Sequence, residues 1–170
     1  MKRGATINKF LKPLDEAPVQ AYFTDELQVP DVLEWILDQL GKSRVFQTTF
    51  SISEEYLRRL YFIRKKGLIS SLDILLDFKA TNKTVDLWVF ISEVVDKAYL
   101  ADNHSKIILV TSESGRRVVV ITSQNLTRGN RAESAVIIED NAIADTIESQ
   151  INKTLKFSAI KINDLLEGTA

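Results

Sequence analysis

Asn103-His104-Ser105-Lys106-Ile107-Ile108-Leu109-Val110 and, a little further on, Val118-Val119-Val120-Ile121-Thr122-Ser123-Gln124-Asn125 decide how this chain reads. Each stretch holds a short apolar run, and Glu113-Ser114-Gly115-Arg116 between them has the composition of a hairpin turn. The two runs therefore read as neighbouring strands. The polar residues precede the first run and follow the second, which gathers them at one end of the hairpin. Residues two apart in an extended chain share a face, so His104 goes with Lys106 and Ser123 with Asn125. An imidazole, an ammonium, a hydroxyl and a carboxamide converging on one spot suit a phosphate group.

Working outward, residues 44–50 (Val45, Phe46, Thr48, Thr49, Phe50) are β-rich and read as a strand. Residues 68–78 contain another, its Leu72, Ile74, Leu75 and Leu76 nearly continuous, as in a sheet buried on both faces. Ala135-Val136-Ile137-Ile138 is a further strand, and residues 94–100 are open between strand and irregular structure. Pro30-Asp31 opens a helix with Val32, Leu33, Ile36, Leu37 and Leu40 on its apolar face and Gly41 as its stop. Ser51-x-x-Glu54 fits a capping box for a helix through Leu57, Leu60, Tyr61 and Ile63, ended by Gly67. Residues 85–92 have helical spacing, and Ile143, Ile147, Ile151 and Leu155 recur every fourth residue in a closing helix. Trp35 and Trp88 fall on apolar helical faces and read as core.

Strands alternating with helices predict an α/β protein of one domain, a mixed β-sheet sandwiched by helices on both faces. Residues 1–20, with Pro13 and Pro18 and no sustained periodicity, read as an N-terminal arm or loosely packed leader. Residues 21–170 form the domain.

Lys and Arg total 22 against 23 acidic residues, a near-neutral balance that argues against a strongly basic coating protein but leaves room for a local basic groove. The chain has no cysteine, which removes disulfides and thiol catalysis. With one histidine besides, a zinc site of N and S ligands cannot form, and no paired-acid motif asks for a metal or cofactor. No window approaches the roughly 18 apolar residues of a membrane span, and the first residues lack a secretory apolar stretch; a cytoplasmic protein without membrane contact is expected. Arg58, Arg59, Arg64, Lys65 and Lys66 cluster on and after one helix, a pattern that is first of all a solvated face. Arg116, Arg117, Arg128 and Arg131 lie nearer the motif and are preferred as contacts to a nucleic-acid backbone.

His104-x-Lys106, an apolar strand, then Thr122-Ser123-Gln124-Asn125 resembles the H-x-K…G-S-x-N signature of the phospholipase D superfamily. Leu126-Thr127-Arg128-Gly129-Asn130-Arg131-Ala132-Glu133 resembles the segment that follows this motif in the single-motif nucleases of that superfamily. In element order the likeness runs over residues 44–158. Thr111 stands where the family has an Asp, and Thr122 where it has a Gly before the serine.

The resemblance implies a phospholipase D-like fold and a metal-independent phosphodiesterase, a nuclease by its small size, with a phosphohistidine formed on His104. An imidazole can attack through its unprotonated ring nitrogen without a separate base. Lys106 and Asn125 would offset charge on the phosphoryl oxygens. Ser123 would either donate to the phosphate or hold its loop by bonding to backbone. Glu133 resembles the acidic residue that orients the histidine, and Thr127, Arg128 and Arg131 are the candidate substrate-binding residues. In-line displacement needs nucleophile and acid on opposite sides of phosphorus, and one imidazole cannot be both. A homodimer sharing a two-fold site, with nucleic acid as substrate, is therefore expected. The alternative is a catalytically silent dimeric phosphate- or nucleic-acid-binding module of the same fold. A lipid-headgroup diesterase is a weaker third reading.

Overall fold

The computed structural model describes residues 3–80, 85–127 and 131–162. Its strands are β1 (Val19–Thr24), β2 (Ser43–Thr49), β3 (Ile69–Asp77), β4 (Lys97–Ala101), β5 (Ile107–Ser112), β6 (Arg117–Thr122), β7 (Glu133–Glu139) and β8 (Ile160–Lys161). The helices are α1 (Arg3–Phe10), α2 (Val29–Leu40), α3 (Glu54–Lys65), α4 (Trp88–Val94) and α5 (Asn141–Phe157), with a short 3₁₀ turn at Phe78–Ala80. All eight strands form one sheet in the order β1-β7-β6-β5-β2-β3-β4-β8.

Within that sheet β2, β3 and β4 are parallel neighbours, with α3 and α4 between them in sequence. Parallel neighbours need such crossovers, and their strands, covered on both faces, carry the continuous apolar runs seen in β3. β5 and β6 pair antiparallel around Gly115, whose φ of 89° suits a residue without a side chain. The α/β reading with a mixed sheet is the observed architecture.

Alternation along each strand separates two cores. Val45, Ile108, Val110, Val118 and Val120 face Leu33, Leu57 and Ile91 of α2, α3 and α4. Phe46, Leu109 and Val119 face Ala144 and Ile147 of α5. Among the described residues α1–α4 cover one face and α5 the other. Trp35 and Trp88 pack against the larger core while only partly buried.

Residues 3–20 are no loose leader. α1 and the turn after it send Ile7, Leu11 and Leu14 into the main core, and Gln39 Oε1 accepts from Leu14 N at 2.7 Å. β1 begins at Val19, inside the supposed arm, and pairs antiparallel with β7. Its residues alternate in the opposite sense to a core strand: apolar Val19, Ala21 and Phe23 are exposed, and the more polar face, with Tyr22 and Thr24, is the buried one. α2 begins at Val29, one residue before the expected proline. The cap of α3 is Ser53, whose Oγ accepts from Tyr56 N at 3.2 Å, not Ser51. Ile52 is held in a bridge to Leu126 and delays the helix by those two residues. Among the described residues no helix is long and apolar enough to cross a membrane.

Asp73, on β3, is paired in register with Phe46 and Lys97 and lines a cavity of about 200 Å³ between the sheet and α5. Burial pushes its carboxyl above the ordinary range against the opposing pull of Lys97. A carboxyl with a raised folded pKa supports the fold fully below its unfolded pKa, and that support is lost as pH rises through the folded value. Asp73→Asn is therefore expected to melt above the wild type at pH 7, with the gap closing toward pH ~4. Thermal unfolding followed by circular dichroism at the two pH values checks this; a wild type that melts higher at pH 7 contradicts it.

Candidate functional site

The two motif segments meet at one end of the β5–β6 pair. Ile107 is in register with Ile121, and Thr122 N donates to Lys106 O at 3.0 Å. His104-x-Lys106 itself lies in irregular chain just before β5. What fixes it is a set of buried polar side chains at the ends of β2 and β3. Asn103 N donates to Asp77 Oδ2 at 2.9 Å, and Asn103 Nδ2 to Thr49 O at 3.2 Å. Ser105 Oγ donates to Asn103 Oδ1 at 2.5 Å and lies 2.7 Å from Thr48 Oγ1, which also accepts from Ile107 N at 2.9 Å.

The second segment is held by the same strand ends. Thr49 Oγ1 accepts from Leu126 N at 3.1 Å, donates to Ser51 O at 2.8 Å and stands 3.4 Å from Asn125 Oδ1. Gln124, between Ser123 and Asn125, is almost fully buried; its Oε1 accepts from Val29 N at 3.0 Å and its Nε2 donates to Gln28 Oε1 at 2.7 Å. It satisfies one of the orphan donors at the start of α2. The Thr122 hydroxyl donates to Ser134 O at 2.9 Å and accepts from Gln124 N at 3.1 Å, closing the turn where the resemblance expects glycine.

His104 is exposed, with its ring centroid 5.3 Å from that of Phe50. The Lys106 ammonium turns back to donate to His104 O at 3.1 Å. Of the two roles open to Ser123, the one seen is structural: its Oγ donates to Glu133 and accepts from Ser134 N at 3.0 Å. Glu133 is thus hydrogen-bonded to Ser123, and among the described residues no carboxylate hydrogen-bonds the His104 ring. Its charge also reaches Tyr22, whose hydroxyl is pushed up to about 12, first by burial and then by Glu133 and Asp31. Thr127 borders a cleft beside α3. Arg131 is exposed just before β7, and Arg128 lies outside the described residues.

Arg116 and Arg117 do not join this group. Arg117 starts β6, about 17 Å of extended chain from Thr122, and Arg116 directly precedes it. Arg116 bonds Glu139 at 2.6 Å and Asp15 at 2.8 Å, which holds its guanidinium further protonated. Arg117 bonds Thr111 at 3.2 Å, Glu148 at 2.6 Å and Asp145. Both are tied into the fold. The sequence reading missed Thr48, Thr49, Asp77 and Asn103. The available signal was polar residues closing apolar runs at strand carboxyl ends, where α/β sheets place their ligands. Among the described residues no group of three or more His, Asp or Glu is placed to hold a metal ion.

No protein-family model matches the sequence, and no curated protein matches it. Solved structures do match in fold. Nuc from Salmonella typhimurium, a phospholipase D family member, superposes with a TM-score of 0.60 at 16% identity, over 84% of this chain and 96% of its own. The chain carries the phospholipase D fold. NucT from Helicobacter pylori gives 0.59 at 15% identity, over 82% of this chain and 96% of its own. TrmBL2, an archaeal chromatin protein, gives 0.57 at 12% identity, over 91% of this chain and 57% of its own.

Thr49→Val removes the hydroxyl that joins the Asn125 segment to β2 and leaves the buried Leu126 amide unpaired. A loss of about 1–3 kcal/mol in denaturant unfolding is expected, with faster hydrogen exchange at the Leu126 amide. Unchanged stability and exchange would show that the hydroxyl does not organise the loop.

Proposed function

We propose that the chain is a metal-independent phosphodiesterase acting on nucleic acid as a homodimer. The observation that carries this reading is the meeting of His104-x-Lys106 and Ser123-x-Asn125 at one end of the sheet, both anchored on Thr48 and Thr49. His104 attacks phosphorus through an imidazole nitrogen, and the bond to the leaving oxygen breaks as that oxygen takes a proton from the second copy's His104. Water, deprotonated by that same imidazole, then releases the phosphomonoester from the phosphohistidine. Lys106 and the Asn125 amide offset charge on the non-bridging oxygens. Ser123, bonded to Glu133 and Ser134, shapes the loop rather than the phosphate.

An uncovered part of the sheet supports the dimer. On the α5 face, Ala21, Val136, Ile121 and Ile107 form a cross-strand row by register, and Val19 and Phe23 continue it on β1. α5 packs on Leu109 and Val119 but leaves Phe23 at 74% and Ile121 at 44% exposure. An apolar face of this kind is unusual in a monomer. Ile121 stands two residues from Ser123, so a second copy seated here lies next to the motif.

Glu133 bonding Ser123 in place of His104 favours a second reading: a catalytically silent, dimeric binding module of the same fold. It differs in binding DNA or RNA in a salt-dependent way without strand scission.

Hydrolysis of bis(p-nitrophenyl) phosphate in EDTA decides between them. The wild type is expected to turn over and His104→Ala to lose at least about a thousandfold; equal inertness of both across several diesters and pH values ends the catalytic reading. For the dimer, sedimentation of Phe23→Glu/Ile121→Lys is expected to give a monomer that has lost diesterase activity while keeping its circular dichroism spectrum. A monomeric wild type would falsify the shared site.

A further inference from the structure

The cleft beside the motif loop has no part in the chemistry above. It measures about 290 Å³ and is bordered by Thr127 from that loop, Gln28 at the start of α2, and Glu55, Arg58, Arg59 and Phe62 of α3. The α3 residues are three or four apart and form one stripe along the helix. The stripe begins beside the motif because Ser53 N donates to Leu126 O at 2.9 Å and Ile52 bridges Leu126.

The basic run on α3 divides once its partners are seen. Arg59 is held by Asp31 at 2.8 Å with Glu34 at 3.8 Å, and Arg64 by Asp96 and Val94 O, both at 2.6 Å. Lys66 is paired with Glu34. Arg58 is different. It bonds Glu54 one turn away and lies over the Phe90 ring at 5.8 Å from its centroid, and the exposed ion pair contributes little and yields readily to a stronger anion. A phosphate offers a guanidinium that stronger, two-pronged geometry. Phe62, one turn further along α3 and about 6 Å up the axis, is 65% exposed at the cleft edge, where water gives a phenyl ring nothing in return. One guanidinium ready to change partners and one largely exposed ring, braced edge-to-face by Tyr61 at 5.6 Å, stand a turn apart and match the two ends of a nucleotide.

We propose that this cleft binds a nucleotide flanking the scissile phosphate, its base unstacked on Phe62 and its phosphate on Arg58, so that single-stranded nucleic acid is the preferred form. The proposal rests on the nucleic-acid reading above and names the form that the site takes. Stacking on an aromatic side chain is indifferent to base identity and requires the base to leave the duplex.

The test is fluorescence anisotropy of a labelled ten-nucleotide oligothymidine with full-length His104→Ala, which removes cleavage. Phe62→Ala in that background is expected to weaken binding about tenfold, Phe62→Trp to restore it, and Arg58→Ala to weaken it and flatten its salt dependence. The same sequence as a duplex is expected to bind more weakly. Equal affinities for Phe62→Ala and its parent, tighter binding of the duplex, or no binding by the parent each overturn the proposal. Hydrolysis of the small diester by the wild type reads the catalytic proposal separately. A chain inert toward the diester but weakened by Phe62→Ala keeps the cleft and loses the chemistry, and the converse result does the opposite.

Discussion

Where β2 and β3 end, the backbone stops finding partners in the sheet, and side chains take over. Thr48, Thr49, Asp77 and Asn103 are all buried there, and each holds a backbone amide or carbonyl of a neighbouring loop. Buried polar groups of this kind are costly unless satisfied, and once satisfied they leave the loops few alternatives. The His104 segment and the Asn125 segment both hang on this cluster. Its rigidity sets how an exposed imidazole and a carboxamide from different strands stand relative to each other. A functional group on a loop is only as well placed as the scaffold beneath it.

The two faces of the sheet are finished differently. Toward α1–α4 the contacts are aliphatic and the core is large. Toward α5 the apolar contact is small, and charged residues frame it: Arg117 with Asp145 and Glu148, and Arg44 with Glu148 at 3.6 Å. The β1–β7–β6 end of that face is left open and apolar. One chain thus ends the sheet with surface suited to burial, and Ile121 on it stands two residues from Ser123.

Legibility tracked how local each cause was. The β5–β6 hairpin, the run in β3 and the four-residue period of α5 were readable because their signals lie within a few residues. β1 was not, since its outward face is apolar for a reason that lies outside the strand. The α3 cap was misplaced because the competing bond, Ser53 N to Leu126 O, comes from more than seventy residues away in the chain. Of the candidate site, His104, Lys106, Ser123 and Asn125 were legible from their spacing, while their supports looked like ordinary strand residues.

Residue chemistry in sequence determined which polar groups flank the hairpin, one imidazole with a lysine two residues on, and that the strands beside them would be apolar neighbours. Only the tertiary structure decided what each polar group is bonded to: that Glu133 holds Ser123, that Gln124 caps α2, and that Arg116 and Arg117 are drawn into the fold. The reason is physical. A spacing of two or four residues is fixed by backbone geometry, whereas a hydrogen-bond partner is chosen by competition among every donor and acceptor that folding brings within about 3 Å.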